Sequence, residues 1–211
     1  MQSRRLILFV KAPRAGAVKT RLAQALGAEK ACAVYRRLAE TLLREIAPLD
    51  EVELRFTPDD ARPEIEPWAR KGWVMTPQGT GDLGCRLAAA FAAAFRGGAR
   101  RVVILGSDSP EVRLGDIETA WMMLLSQDVV LGPAMDGGYW LIGLRAPHPR
   151  LFEGVPWSTG AVLRETLARC RQARLRVALL RQVADIDTAA DWRLAELLLR
   201  VAAAPDPAHV G

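Results

Sequence analysis

The sequence predicts a three-layer α/β/α sandwich around a mostly parallel sheet with one reversed strand. Three observations lead there. Short, continuously apolar runs alternate with helix-period segments along the chain. Those runs lack a polar alternate face, as expected of strands covered on both sides. The link between the apolar runs 129–131 and 139–144 is too short for a parallel crossover, so one strand must reverse.

The elements follow in order. Residues 6–10 read as a buried strand. Residues 19–47 form a helical stretch, with Gly27 marking a break. Residues 52–57 alternate as a strand, 63–71 form a short helix and 73–76 a strand. In 83–96, Leu87, Phe91 and Phe95 recur at i, i+4 and i+8, which gives an Ala-rich helix one packing stripe. A buried strand at 101–105, a helix at 114–126 and the strands at 129–131 and 139–144 come next. A helix at 161–173, a strand at 176–180 and a last helix at 189–203 complete the pattern. With 211 residues, half of them hydrophobic, the expectation is a single domain over 1–204 and a frayed tail over 205–211.

Composition narrows the function. No apolar run approaches the ~18 residues of a membrane span. Arg4 and Arg5 precede only five apolar residues before Lys11, too few for a secretion signal, so a cytoplasmic enzyme is expected. Three cysteines, Cys32, Cys85 and Cys170, with no C-x-x-C pair and two histidines, argue against zinc or disulfides; all three read as buried or half-buried thiols. The net charge of +5 equals that of residues 164–181 alone, with six Arg and one Glu. That segment lacks aromatic residues, so it reads as a solvated helix face and no nucleic-acid partner is expected. Only four lysines occur, and two of them, Lys11 and Lys19, flank one glycine-containing loop.

Ligands in open α/β sheets bind beyond the carboxyl ends of the strands, so the segments after each strand carry the candidates. After the first comes K-A-P-R-A-G-A-V-K-T-R-L, residues 11–22. Gly16 permits close backbone approach, and Lys19 and Arg21 enter a helix N-terminus, a combination suited to an anion. A turn with solvated basic residues explains it as well. The G-S-D-S-P segment, 106–110, places Asp108 where a carboxylate would hold a metal on a bound phosphate. The competing reading is a helix cap by Asp108 or Ser109 with Pro110 at the first helical position. G-P-A-M-D-G-G-Y-W-L-I-G, 132–143, has Asp136 before Gly137 and Gly138, a ligand-lining turn or an ordinary hairpin. Q-G-T-G-D-L-G-C-R, 78–86, contains Asp82 and Arg86 at a helix entry. P-W-S-T-G, 156–160, offers Trp157 as a lid or platform and Ser158 or Thr159 as an N-cap. In D-I-D-T-A-A-D, 185–191, Thr188 and Asp191 resemble a capping box, which leaves Asp185 and Asp187 as possible metal carboxylates.

Together these segments resemble the radical-SAM/selenodomain-associated transferase family, a branch of GT-A-like nucleotide-diphospho-sugar transferases also described as arsenosugar-biosynthesis-type glycosyltransferases. The likeness spans residues 5–192. D-G-G-Y and Q-G-x-G-D-L-G-x-R are its specific elements, with Cys85 standing where a polar residue is expected. The K-T-R-L, G-x-D-x-P and D-I-D-T elements are shared with guanylyl- and cytidylyltransferases. The resemblance implies a GT-A Rossmann-like domain, a nucleotide ligand and Mg²⁺ or Mn²⁺. It implies glycosyl transfer from a nucleotide-diphospho-sugar to a small-molecule acceptor, with nucleotidyl transfer from a nucleoside triphosphate as the alternative. A nucleotide-binding regulatory module is a third reading, disfavoured because a pure binder has no need of Asp108. On this view Asp108 and Asp187 hold the metal. Lys19, Arg21, Lys11 and Gly16 hold phosphates, and Asp82 and Arg86 line the nucleotide or sugar. Asp136 contacts the sugar or serves as general base, with Lys19 assisting catalysis. Gly137, Gly138, Trp157 and Ser158 face the acceptor.

Overall fold

The computed structural model describes residues 3–184, 191 and 192. The elements in chain order are β1 (Arg4–Lys11), α1 (Thr20–Leu26), α2 (Ala28–Glu45), β2 (Val52–Thr57), α3 (Arg62–Ile65), β3 (Val74–Pro77), α4 (Leu83–Arg96), β4 (Arg101–Gly106), α5 (Leu114–Met123), β5 (Val129–Pro133), β6 (Tyr139–Leu144), α6 (Val162–Gln172) and β7 (Val177–Leu179). One sheet runs β3-β2-β1-β4-β6-β5-β7. Only β6 is reversed in it, antiparallel to both β4 and β5. The expected α/β/α class with one reversed strand is therefore the one found.

Side chains from the two faces of each strand enter two separate cores. Leu6, Leu8 and Val10 of β1 pack with α2 and α5, through residues such as Tyr35, Leu42, Ile117 and Trp121. Ile7 of the same strand packs with α4 and α6, through Leu87, Phe91 and Cys170. A strand apolar at both parities thus reports a sheet with both faces covered. Strand β2 departs from that rule. Glu53 and Arg55 project to one face, where they are buried as an ion pair of 2.7 Å; alternation there reflects an internal polar contact and not a wet face.

The helical stretch after the first loop breaks at Gly27, whose φ of 84° ends α1 and starts α2. The expected helix at 63–71 is shorter, closing as a single 3₁₀ turn at Glu66–Trp68. Helix α5 starts at Leu114, not at Pro110. Its first turn is held by Asp116, which accepts from the Arg113 N–H and from Arg181 Nε and Nη2, each at 2.8 Å. Asp108 and Ser109 therefore cap no helix, which removes the competing reading for both. The N-cap position of α6 falls on Ala161, so neither Ser158 nor Thr159 occupies it. Cys85 is exposed, contrary to expectation, whereas Cys32 and Cys170 are buried and all three are free. The last helix, the frayed tail, the Thr188 cap and the Asp185 and Asp187 carboxylates lie outside the described residues. Among the described residues no helix is long and apolar enough to cross a membrane.

The Asp116–Arg181 contact yields a prediction. Partial burial raises the Asp116 carboxyl, but hydrogen bonds from Arg181 and Arg113 outweigh it and hold the group below its ordinary value. A depressed carboxylate stabilises the fold above its unfolded pKa, and that contribution is lost as pH falls through the lower folded value. Asp116→Asn is expected to cost about 1–2 kcal/mol at pH 7 in urea denaturation, with the difference from wild type shrinking below about pH 4.

Candidate functional site

Because β1 to β5 and β7 share one direction and β6 opposes them, the C-terminal ends of the parallel strands and the start of β6 share one edge. The loops after β1, β3, β4 and β5 all leave from it. The first loop ends at Lys19, the N-cap residue of α1, in the left-handed conformation at φ 47°. A lysine there is strained, and such strain persists where surrounding contacts hold it. One holding contact is visible. Lys19 Nζ lies 2.9 Å from Asp108 Oδ2, with the lysine side chain 4% exposed and the aspartate 44%. Withdrawal from water raises the Asp108 carboxyl, and the charges of Lys19 and then Lys11 outweigh that effect, holding it below the ordinary carboxylate value. Both lysines thus act on one carboxylate. Arg21 sits exposed on the first turn of α1. Gly16, at φ 80°, has open space where a Cβ would stand. The other arginine of this loop, Arg14, is taken up by Glu64 and Asp60.

Two side chains not singled out in the sequence organise this edge. Tyr35 on the buried face of α2 accepts the Lys11 N–H at 2.8 Å and meets Ser107 Oγ at 2.8 Å. Burial pushes its hydroxyl pKa up, so it stays protonated and can donate to Ser107 while accepting from Lys11. It fixes the end of β1 against the residue preceding Asp108. Gln78 is buried and donates from Nε2 to the Val10 and Arg55 carbonyls, at 3.1 and 3.0 Å, tying the third loop to β1 and β2. In the sequence, Gln78 stands out only as the first residue of the Q-G-T-G-D-L-G-C-R segment. Tyr35 left no signal beyond a polar tip on an apolar stripe.

Asp82 and Arg86 turn out to build their own loop. Asp82 caps α4 by accepting the Cys85 N–H at 2.8 Å, and that bond lowers its pKa. Arg86 donates to the Gly81 carbonyl and to Gln78 Oε1. Similarly, Asp136 Oδ1 accepts the Gly138 N–H at 2.8 Å and shapes the turn between β5 and β6. Trp157 is packed in place rather than free as a lid. A Cβ on Gly84 would lie 2.6 Å from its Nε1, and its ring meets Tyr139 edge-on at 6.5 Å. A Cβ on Gly137, at φ 86°, would lie 2.3 Å from the Gly160 carbonyl oxygen. The Q-G-T-G-D-L-G, D-G-G-Y-W and P-W-S-T-G segments therefore converge through backbone approaches that only glycine allows. Ser158, at φ 65°, is exposed beside them.

Asp108 is suited to a hard divalent cation. Mg²⁺ and Mn²⁺ are commonly held by one or two carboxylates together with substrate phosphates, and the flanking lysines match the phosphates. No cluster of three or more metal-ligating side chains occurs among the described residues.

The arrangement, a carboxylate and two lysines at the open edge of a GT-A-like sheet, belongs to a fold shared by several nucleotide-dependent transferases. The CMP:2-keto-3-deoxy-manno-octonic acid synthetase in complex with CTP superimposes with a TM-score of 0.60 at 11% identity, over 95% of this chain and 100% of that one. Glucosyl-3-phosphoglycerate synthase from Mycobacterium tuberculosis, in complex with Mn²⁺, UDP and glucosyl-3-phosphoglycerate, gives 0.54 at 15% identity, over 98% and 82%. At these identities the likeness is one of fold. Much nearer is a protein of Desulfovibrio desulfuricans G20 assigned as a nucleotide-diphospho-sugar transferase. It is 33% identical, with a TM-score of 0.87 over 98% of this chain and 90% of that one. The chain belongs to the family described as "Uncharacterized protein conserved in bacteria (DUF2064)", whose profile matches residues 42–159. None of these likenesses carries the radical-SAM, selenodomain or arsenosugar attributes of the sequence resemblance. No curated protein matches the chain.

Gly84→Ala tests the convergence. Its Cβ must displace Trp157 or the Phe152 carbonyl. An expected loss of about 1–3 kcal/mol, with a red-shifted tryptophan emission, would confirm the contact; a neutral substitution would contradict it.

Proposed function

We propose that this protein is a single-domain cytoplasmic glycosyltransferase that uses a nucleotide-diphospho-sugar, with Mg²⁺ or Mn²⁺, to modify a small-molecule acceptor. The observation that carries this reading is the Lys19–Asp108 pair at the open edge of the sheet, within the field of Lys11. A diphosphate arriving there meets two ammonium groups, and Lys19 can turn from Asp108 to a phosphate oxygen. The 33% identity to the Desulfovibrio protein supports the nucleotide-sugar class of substrate.

Asp108 would hold a divalent cation, with Asp187 proposed as the second carboxylate, and the cation would offset charge on the diphosphate. Lys19, Lys11 and Arg21 stabilise the negative charge that grows on the leaving group. Gly16 lets the first loop's backbone come close to the phosphates. The acceptor hydroxyl oxygen bonds to the sugar C1 as the C1–oxygen bond to the diphosphate breaks. The nucleoside diphosphate leaves with that electron pair, and Asp136 takes the hydroxyl proton. Asp82 and Arg86 hold the loop that lines the nucleotide or sugar. Gly137, Gly138, Trp157 and Ser158 frame the acceptor.

Two experiments decide the matter. Nucleoside diphosphate and pyrophosphate are quantified separately after incubation with metal and either nucleotide sugars or nucleoside triphosphates. Nucleoside diphosphate release from a nucleotide sugar is expected; acceptor-dependent pyrophosphate release from GTP or CTP would replace this reading with nucleotidyl transfer. In binding assays, Asp108→Ala is expected to abolish metal-dependent stabilisation by nucleoside diphosphates; the protein still folds, at reduced stability, because the buried Lys19 ammonium loses its counter-charge. Neutralising Lys19 or Arg21 should weaken diphosphate binding by ~1.5–3 kcal/mol and barely change nucleoside binding. Equal losses for both ligands would contradict a phosphate role.

A further inference from the structure

The basic segment 164–181 is not uniform once its partners are known. Arg176 pairs with Asp128 at 3.1 Å, and Arg181 pairs with Asp116 at 2.8 Å. Arg169 donates to the Gly154 carbonyl. On the remaining side of α6, Arg164 makes one contact, at 3.3 Å, with its sequence neighbour Glu165, its own side chain being 74% exposed. Arg171, one heptad later and on the same stripe, is exposed and pairs with no described carboxylate. These two arginines, with Leu163, Leu167, Gly137 and Gly160, line a cavity of about 260 Å³.

The position of that cavity matters more than its charge. Its rim is the glycine contact where the D-G-G turn and the P-W-S-T-G loop touch, and the Leu163 N–H donates to the Gly137 carbonyl at 2.9 Å. Asp136 is the next residue on that rim. The floor is apolar and the walls carry two arginines whose backbone positions lie ~10 Å apart along the helix, within reach of side chains that can converge on one oxyanion. Two exposed arginines, one paired only loosely with its sequence neighbour Glu165, stand beside an apolar floor and adjoin the residue proposed to take the acceptor's proton, which makes a place for the acceptor's far end.

We propose that the cleft between α6 and the Gly137–Gly160 contact is an acceptor subsite, and that the acceptor carries an oxyanion, a phosphate monoester or a carboxylate, held by Arg164 and Arg171. The inference rests on the transferase reading above for the word acceptor, but the oxyanion site can be tested without turnover. Binding of inorganic phosphate, glycerol 3-phosphate, glycerate and neutral glycerol is measured calorimetrically on a Lys19→Met protein, in which the donor-phosphate loop is weakened. The same titrations are repeated with Arg164→Gln and Arg171→Gln added. Both arginines are surface residues, and thermal melts verify that each variant is folded. The expected result is binding of the anionic probes and not of glycerol, weakened at least tenfold when both arginines are neutralised. Preference for glycerol 3-phosphate over glycerate assigns a phosphate, and the reverse a carboxylate. Absence of anion binding in the Lys19→Met protein, or binding indifferent to the two arginines, would overturn the proposal. Failure of the donor reading appears elsewhere, as nucleoside diphosphates that do not bind wild-type protein in the presence of metal, a measurement independent of α6.

Discussion

The Lys19–Asp108 contact joins the two strand ends on which the candidate site depends. One partner ends the loop after β1 and the other follows β4, and these strands are neighbours at the middle of the sheet. Neither charge could sit there alone at low cost. The lysine is almost wholly withdrawn from water, and a buried ammonium without a counter-charge is expensive. The pair therefore holds the first loop down without a ligand and keeps a charged group available for one. Tyr35 reinforces the arrangement from below by linking the Lys11 backbone to Ser107, so the spacing of the two strand ends is set by covalent geometry and two hydrogen bonds.

On the other side of the edge, shape does the work that charge does here. Gly84 admits Trp157, and Gly137 admits the Gly160 backbone. These approaches lock three segments that are far apart in sequence. They also explain why the glycines cluster where they do: each removes the side chain that would hold two loops apart. Packing of this kind leaves the polar groups of the turn, Asp136 above all, standing on a rigid base, a condition that the proposed role of Asp136 as proton acceptor sets.

Strand identity was legible because burial on both faces writes an unbroken apolar run, as in residues 6–8 and 102–105. The reversed strand was legible because chain length forbids a crossover between β5 and β6. The insertion of β6 between β4 and β5 was not, since strand order is decided by long-range packing that no local pattern records. Lys19, Lys11 and Asp108 were legible as candidates because each follows a buried strand. The capping alternative for Asp108 could be removed only by seeing α5 begin at Leu114. Asp82 and Arg86 were found by motif, yet the motif could not say that both are engaged in holding their own loop. Cys85 was misjudged because cysteine is usually buried, whereas here it sits in the exposed first turn of a capped helix.

The backbone at Lys19 has an evolutionary corollary. A left-handed conformation is nearly free for glycine and costs a residue with a Cβ roughly 1 kcal/mol. At φ 47° the position would be filled more comfortably by glycine or asparagine. Exchange for either residue would relieve that strain and at the same time remove the ammonium group facing Asp108, so the backbone gain is set against the loss of a counter-charge that holds the first loop. Local backbone comfort and electrostatic anchoring thus pull in opposite directions at a single codon, and a substitution there trades one for the other.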